Sequence, residues 1–212
     1  MEKMKQSGDI NHNNTYKNIL DSTAKLMVEK GYHGTSIRMI SEEVGIQSST
    51  LFYYFKNKDD ILRTMLAELT PGFINELERI VENDSYDGIQ KLGYLFYSYL
   101  GQLPEKRDAL KVFFSESKYL VDENKALMKQ TERNYLKLIE KILVQIRQEH
   151  PEAISGINIR VFAMVIYGIC NWSLTWYQKD GKFSINEMVD QFMKILHMND
   201  QKSIESVLPD EN

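Results

Sequence analysis

Cysteine, proline and glycine are all scarce in this 212-residue sequence, and each scarcity excludes a class of protein. The single cysteine, Cys170, excludes a framework of internal disulfides, so we expect a protein of the reducing cytoplasm. Only four prolines and 11 glycines interrupt the chain, which favours long helices. No run approaches the ~18 apolar residues of a membrane helix, and the polar start of the chain predicts no secretory signal.

Sequence patterns typical of enzymes and metalloproteins are also missing. The chain contains no phosphate-binding loop, no dinucleotide fingerprint and no Gly-x-Ser-x-Gly motif. No cysteine and histidine have the spacing of metal ligands. The histidines are scattered, at His12, His33, His150 and His197. We therefore predict no enzymatic activity, no metal site and no cofactor.

The charge is spread unevenly along the chain. The net charge is −4, but residues 1–64 hold 9 basic and 8 acidic residues, whereas the remainder holds 17 and 22. This mild N-terminal excess of positive charge permits a nucleic-acid-binding module there without requiring one.

Hydrophobic periodicity predicts helices from Asn14 to about Met198. A helical pattern starts at Asn14 and stops at Gly31, and no segment alternates convincingly at period two, so the predicted fold class is all-α. A helix capped by Asn57, with Asp60 as its reciprocal partner, is expected to kink or break at Pro71. Five further helices are predicted: Tyr86–Leu103, Glu105–Tyr119, Asp122–Glu149, Ser155–Tyr177 and Ser184–Met198.

Two short predicted helices have the spacing of a helix-turn-helix. They cover Thr35–Glu43, with Thr35 as its cap, and Gln47–Phe55. Gly45 lies between them and can adopt the left-handed backbone that such a turn needs.

Four consecutive aromatic residues close the second of these helices. At ~100° per residue, Leu51 and Phe55 share one face, which predicts that they anchor the helix to the core. The other side carries hydroxyls and rings: Ser49, Thr50 and Tyr53 lie opposite, with Phe52 and Tyr54 on the flanks. That mixture suits base edges in a major groove, with Lys56 and Lys58 meeting phosphates. The alternative is a hydrophobic plug between two helical bundles.

The residues GTSIRMISEEVGI (34–46) and STLFYYFKNKDDIL (49–62) resemble the N-terminal domain of the tetracycline-repressor (TetR/AcrR) family. The resemblance implies an all-helical homodimer, usually a repressor, with a three-helix DNA-binding domain and a larger C-terminal helical bundle that dimerises. It implies domains at residues 12–72, with the helix-turn-helix at about 35–54, and 73–200. Its partners are then double-stranded DNA with a pseudo-palindromic operator and a small-molecule effector, with no membrane.

Matching positions carry the family's DNA contacts to this chain. Arg38 matches a residue that reaches bases or phosphates, and Lys58 matches a lysine that holds a phosphate. With the segment that enters the groove, the predicted DNA-binding residues are Arg38, Gln47, Ser48, Ser49, Thr50, Tyr53, Tyr54, Lys56 and Lys58. The chain departs from the pattern at Gln47, which weakens the helix cap, and at Phe52, which lacks the hydroxyl of the common tyrosine.

The stretch NWSLTWYQKDGKFS (171–184) resembles the branch of the family that regulates fatty-acid and sterol breakdown and answers to acyl-CoA thioesters. That resemblance implies a long apolar tunnel with basic residues at its mouth. Aromatic and methionine residues on the C-terminal helices are candidate lining residues: Phe96, Tyr97, Phe113, Phe114, Tyr119, Met128, Tyr135, Met164, Tyr167 and Trp172. Ordinary core packing is the competing interpretation of each.

Two apolar stripes on the last two helices predict the dimer interface, as a four-helix bundle between subunits. One comprises Ile157, Val161, Met164 or Val165, Gly168 and Trp172; the other comprises Met188, Phe192, Ile195 and Leu196. Part of these stripes is expected to face the subunit's own core.

The predicted function is a homodimeric repressor that a hydrophobic or acyl-CoA-like effector releases from its operator. A transcriptional activator and a multidrug-responsive regulator remain open; the latter would need a buried carboxylate, for which Glu116 and Glu132 are candidates. A helical scaffold or enzyme without DNA binding is the more remote alternative. Effector identity, operator sequence, target genes and the number of dimers on an operator are not encoded in these patterns.

Overall fold

A computed structural model describes the backbone of residues 2–120 and 122–198 and the side chains of residues 13–120 and 124–198. Within these ranges the chain forms nine α-helices and one short 3₁₀ helix, Ser117–Tyr119, with no strand. The all-α prediction is confirmed. The helices are α1 (Glu2–Gly34), α2 (Ile37–Val44), α3 (Ser48–Tyr54), α4 (Lys58–Glu82), α5 (Gly88–Gly101), α6 (Leu103–Glu116), α7 (Asp122–Glu149), α8 (Ile159–Trp176) and α9 (Ile185–Ile195).

The chain divides into two compact units. The first holds the chain up to Thr70 together with Asp108–Met128, and the second holds Pro71–Arg107 together with the chain from Lys129 onward. Three helices, α4, α6 and α7, therefore pass from one unit to the other. The domain limits at 12–72 and 73–200 stay predictions, and the first unit includes a segment that they assign to the second.

The first helix is longer at its start than the periodicity predicts, since α1 begins at Glu2 rather than near Asn14. The predicted stop at Gly31 is a kink within α1, since Gly31 leaves the helical conformation with φ 71° and ψ 169° while the helix ends at Gly34. The cap of α2 is Ser36, not Thr35: the Ser36 hydroxyl accepts the Met39 N–H at 3.3 Å. Thr35 instead donates its hydroxyl to the Gly31 carbonyl at 2.9 Å.

The core of the first unit joins α1 to the helix-turn-helix and to the first half of α4. Leu51 of α3 is fully buried beside Ile19 and Met27 of α1 and Ile40 of α2. Burying a side chain of this size stabilises the fold by about 1.5–3 kcal/mol. The predicted left-handed turn residue, Gly45, has φ 75° and ψ 31°.

Of the kink or break predicted at Pro71, the break is wrong, because α4 runs from Lys58 to Glu82 with Pro71 inside it. The proline removes one backbone donor on an exposed face. Buried Leu69 before it and buried Leu77 after it hold the neighbouring turns in their own units. Packing on both sides therefore outweighs one missing hydrogen bond.

The C-terminal helices follow the predicted order with shifted ends. Helix α7 has the predicted bounds, whereas α5 begins only at Gly88, behind a capping box of Asp87 and Gln90. Asn158 rather than Ser155 caps α8. The predicted capping box of Ser184 and Glu187 is confirmed, and α9 ends at Ile195 instead of Met198.

Helix α8 differs from the sequence prediction in one further respect. Its length and apolar composition would allow it to cross a membrane, and no other helix among the described residues meets that test. In the structure 33% of its residues are buried. Its buried residues include Phe162, Ile166 and Cys170, which recur at helical spacing. One face thus packs in the second unit and the other is exposed.

Candidate nucleic-acid interface

Two buried residues seat the short helix α3, as its periodicity predicts. Leu51 is 0% exposed and Phe55 is 3% exposed, and the Phe55 ring stacks on Tyr16 of α1 at 5.3 Å between centroids. The rings on the other side are uncovered, since Phe52 is 55% exposed and Tyr53 is 75% exposed. The anchors therefore fix which face of α3 points to solvent, and the exposure of these two rings argues against the alternative of a hydrophobic plug.

Small hydroxyl side chains surround Tyr53 on the exposed face of α3. Ser49 and Thr50 are exposed and Ser48 is half-buried. Gln47 occupies the cap position without a side-chain cap hydrogen bond, and its amide oxygen accepts the Ser49 hydroxyl at 3.4 Å. The weak cap predicted at Gln47 is thus observed, and its side chain lies beside the hydroxyls.

Tyr54 is less free than the sequence predicts. It is half-buried, with its ring 6.4 Å from Tyr16 and in edge contact with Tyr53 at 5.3 Å. Its ring therefore supports the orientation of Tyr53 in addition to any contact of its own. Tyr16 itself donates its hydroxyl to Glu68, and burial together with that bond raises the pKa of Tyr16 to about 12.

Arg38 and Lys56 both lie on the surface, as predicted. The Arg38 guanidinium donates to Glu42 at 2.8 Å, one helical turn along α2, and this hydrogen bond raises the pKa of Arg38. A neighbouring pair joins Lys25 to Glu43 at 2.7 Å. Glu42 and Glu43 thus place negative charge next to Arg38, a residue expected to contact DNA, and the sequence prediction did not include this charge.

Lys58 is directed differently from the expected phosphate contact. Its ammonium donates to the carbonyls of Tyr32 at 2.6 Å and Thr35 at 2.8 Å, and it lies 4.1 Å from the Tyr32 ring centroid. Burial lowers the pKa of this ammonium. In this geometry Lys58 ties the start of α4 to the turn between α1 and α2.

The ten predicted lining residues do not form one cluster. Four belong to the first unit: Phe113, Phe114, Tyr119 and Met128. The others belong to the second unit: Phe96, Tyr97, Tyr135, Met164, Tyr167 and Trp172. Phe96 is fully buried, whereas Met164 is 49% exposed and Trp172 is 68% exposed. The latter two lie on the open face of α8, away from its buried side.

A polar cluster lies inside the second unit and includes two of the predicted lining residues, Tyr135 and Tyr167. The Tyr99 hydroxyl donates to the Asn171 amide oxygen at 3.3 Å, and the Tyr135 and Tyr167 rings lie 5.9 Å apart. Burial raises the pKa of all three tyrosines. Tyr167 also hydrogen-bonds to Glu132. Aromatic hydroxyls from α5, α7 and α8 thus meet in one region of this unit.

The single cysteine takes part in no redox site. Cys170 is fully buried beside these tyrosines, and burial raises the pKa of its thiol, which disfavours the reactive thiolate.

The two predicted dimer stripes have different surroundings. The α8 stripe is exposed, at 59% for Val161, 46% for Val165 and 68% for Trp172. In the α9 stripe only Ile195 is well exposed, since Met188 and Phe192 pack into the second unit. Along α8 and α9 runs a groove of about 420 Å³, lined by Val165, Gly168, Ile169, Trp172, Trp176, Phe192 and Ile195.

The fold brings Asp87 next to the adjacent residues Glu149 and His150. Ligand atoms of Asp87, Glu149 and His150 lie within 4.8 Å of one another. Both carboxylates already serve a helix start: Asp87 accepts the Gln90 N–H and Glu149 accepts the Gly88 N–H, each at 2.7 Å. These backbone bonds account for the grouping.

An exposed face on a short helix-turn-helix, held by a helical bundle, defines a class of DNA-binding regulators. Residues 19–65 match the family described as bacterial regulatory proteins, tetR family, and residues 85–198 match the family described as tetracyclin repressor-like, C-terminal domain. The second match alone covers more than half of the chain. The chain therefore belongs to the TetR family of bacterial regulatory proteins.

Similar proteins include regulators of lipid metabolism. The chain is 24% identical over 182 residues to the fatty acid metabolism regulator protein of Bacillus subtilis (strain 168), covering 85% of this chain and 93% of that protein. The structure of AibR in complex with isovaleryl coenzyme A and operator DNA matches with a TM-score of 0.73 at 20% identity, over 85% of this chain and 97% of that one. FadR from Bacillus subtilis in complex with stearoyl-CoA matches with a TM-score of 0.64 at 24% identity, over 85% and 97%.

Proposed function

We propose that the protein is a homodimeric transcriptional repressor that binds operator DNA through α3 and leaves it when an acyl-CoA thioester binds. The observation that carries the DNA-binding part is the exposed face of α3. Tyr53, Ser49 and Thr50 offer a ring and two hydroxyls to base edges, while Leu51 and Phe55 hold the helix in place. Such a function places the protein in the cytoplasm.

Dimerisation is supported by the exposed apolar face of α8. Contiguous exposed apolar surface of this kind marks a protein interface, and a two-fold axis through it makes the contact self-complementary. The two α3 helices then enter successive major grooves, about 34 Å apart, so the operator is a pseudo-palindrome.

The effector class is supported by the relatives and by the second unit. The similar regulators include one of fatty acid metabolism, and two similar structures hold acyl-CoA molecules. The hydroxyls of Tyr99 and Tyr167 lie within this unit, where a thioester needs a few polar groups for orientation. We assign the acyl chain to this unit, and we retain Phe96, Tyr97, Tyr135 and Tyr167 as candidate contacts.

The structure gives less support to a cationic multidrug effector. Such a ligand needs a buried carboxylate near aromatic rings. Glu116 is buried, but it already accepts the backbone N–H of Tyr32 at 2.8 Å. Glu132 is exposed and hydrogen-bonds to Tyr167. Neither carboxylate offers a cation a buried, uncommitted partner.

The test starts from selection of duplexes that the full-length protein retains from a random-sequence pool. A DNA-binding repressor enriches one pseudo-palindromic sequence. The logarithm of its binding constant falls linearly with the logarithm of the salt concentration. Isovaleryl-CoA and stearoyl-CoA are then added separately to the purified complex, with free coenzyme A as the matched control. We expect at least one thioester to release the DNA and free coenzyme A to leave the complex intact.

Each step has its own contradicting result. Failure to enrich any sequence contradicts sequence-specific DNA binding. Release by free coenzyme A as readily as by thioesters contradicts recognition of the acyl chain. A complex that is stable to both thioesters contradicts the effector class and leaves the DNA-binding proposal in place. A thioester must also bind the DNA-free form more tightly than the DNA-bound form, since equal affinities shift no equilibrium.

A further inference from the structure

The segment 31–36 runs from the kink at Gly31 of α1 to the residue before α2, and we call it the turn between α1 and α2. Tyr32 is its most heavily bonded residue. Its backbone N–H donates to the Glu116 carboxylate at 2.8 Å, and its carbonyl accepts the Lys58 ammonium at 2.6 Å. Its ring stacks on Tyr119 at 5.1 Å between centroids, with the Lys58 nitrogen 4.1 Å from the ring centre. Lys58 at the start of α4 and Glu116 at the end of α6 thus hold the two peptide groups that flank Tyr32.

The turn itself has a backbone that only glycine adopts without strain. Gly31 has φ 71°, and a Cβ placed on it would lie 4.0 Å from Glu116 Oε2. This conformation turns the Tyr32 N–H out of the α1 hydrogen-bond pattern. The freed N–H then needs another acceptor in a part-buried place, and the Glu116 carboxylate supplies it.

Glu116 is an unusual residue for this position. It is 8% exposed, it ends α6, and none of the ion pairs among the described residues includes it. A buried carboxylate needs strong hydrogen bonds in place of water. The bond to the Tyr32 N–H is of that charge-assisted kind, and it is directional as well as strong.

The turn that Glu116 holds leads directly into the helix-turn-helix. The Lys58 ammonium also donates to the Thr35 carbonyl at 2.8 Å, and the next residue, Ser36, caps α2. The position of α2, and with it α3, therefore depends on the geometry of residues 31–36. Glu116 reaches that turn from α6, whose first residues, Leu103–Arg107, belong to the second unit.

We propose that Glu116 is a positioning residue that holds the turn between α1 and α2 in its operator-binding geometry and couples α6 to the helix-turn-helix. A shift of α6 moves the carboxylate, releases the Tyr32 N–H and changes the orientation of α3. The regulatory half of this inference rests on the proposed effector response. The positional half concerns the ligand-free protein alone.

The experiment compares Glu116→Ala, Glu116→Gln and Glu105→Gln in the full-length protein. Alanine removes the acceptor, glutamine keeps an acceptor oxygen, and Glu105 is an exposed glutamate on the same helix. Affinities for the selected operator and for a random duplex are measured without ligand. We expect Glu116→Ala to lose about tenfold on the operator and little on the random duplex, because one buried donor loses its partner. Glutamine rescues most of the loss, and Glu105→Gln matches the wild type.

A spectroscopic readout keeps the inference testable if Glu116→Ala fails to fold. Selective ¹⁵N-tyrosine labelling reports the 12 tyrosine amides, and Tyr32→Phe assigns the signal of interest. A carboxylate acceptor shifts the Tyr32 amide proton downfield, and Glu116→Gln reduces that shift. In the wild type, a thioester that releases the operator is expected to reduce the downfield shift of the Tyr32 amide proton.

The two proposals fail in different ways. Equal operator affinities for Glu116→Ala and the wild type, or an equal loss on operator and random duplex, overturn the positional role. A Tyr32 amide signal that an operator-releasing thioester leaves unchanged overturns the coupling. If no thioester releases the operator from the wild type, the effector proposal fails, while the ligand-free comparison still decides whether Glu116 positions the turn.

Discussion

Replacement of Trp172 by alanine is expected to weaken the dimer more than any other single truncation on α8. The side chain is 68% exposed in the isolated subunit, and Val161 and Val165 flank it along the same face. Large aromatic residues of this kind are the usual anchors of protein interfaces.

The magnitude follows from the surface that an interface would cover. A tryptophan presents at most roughly 250 Å², so 68% corresponds to about 170 Å² of available surface. At about 25 cal/mol per Å², covering it stabilises the dimer by up to ~4 kcal/mol per subunit. Both subunits of a two-fold dimer lose the Trp172 side chain, while rearrangement of neighbouring side chains recovers part of the lost binding free energy. We expect the dissociation constant of the dimer to rise by at least about a hundredfold.

Sedimentation equilibrium over a range of protein concentrations measures this change. The matched control is Val144→Ala on α7, whose side chain is 44% exposed in the same unit but lies outside the predicted stripe. Circular dichroism checks that both variants keep their helices. A Trp172→Ala protein that dimerises as tightly as the wild type refutes the assignment of the interface to the exposed face of α8.

Three further changes test separate parts of the structure. Phe52→Tyr adds a hydroxyl to an exposed ring of α3, so competition binding is expected to show about fivefold tighter binding to operator and random DNA alike. Gly88→Ala places a Cβ 2.6 Å from Ile146 Cγ1 and 2.7 Å from Ile146 N, so denaturant unfolding is expected to show a loss of about 1–3 kcal/mol. A hydrogen bond from Arg63 lowers the pKa of Asp60. The ionised Asp60 carboxylate therefore stabilises the fold fully above its unfolded pKa of about 3.9, and this stabilisation is lost as the pH falls through the folded pKa. Denaturant unfolding of wild type and Asp60→Asn across this pH range measures the loss.

Each of these changes has a control or a contradicting result. If Phe52→Tyr raised the affinity for the operator only, the ring would contact bases rather than the DNA phosphate backbone. Gly101→Ala has no atom within 4 Å of the new Cβ and should leave stability nearly unchanged. A difference between wild type and Asp60→Asn that stays constant from pH 7 to below the folded pKa of Asp60 would exclude the Asp60 carboxylate as its source.

Local sequence signals predicted the local structure well. Gly45 takes the left-handed conformation, Ser184 and Glu187 cap α9, and the Asn57 side chain accepts the Asp60 N–H at 2.8 Å. Each of these features depends on a few neighbouring residues. Even so, the Asp60 carboxylate accepts the Lys56 N–H, one residue before the expected partner.

Features that depend on distant contacts were not predictable in the same way. Pro71 is tolerated because buried residues hold the helix on both sides, and Lys58 turns inward because two carbonyls of the preceding turn accept its ammonium. Met188 looks like an interface residue by spacing, yet it packs in the second unit. Glu116 was a sequence candidate only as a buried carboxylate for a cationic ligand, and no local pattern indicates its actual partner, a backbone N–H 84 positions away.

The most direct measurement compares wild type with Tyr53→Ala on the selected operator and on random duplex. Tyr53 is 75% exposed and lies opposite the anchors of α3, so its removal should leave the fold intact. We expect operator binding to weaken by about 1–3 kcal/mol while random-duplex binding is unchanged. Equal losses on the two duplexes, or no loss on either, would contradict sequence reading by the exposed face of α3.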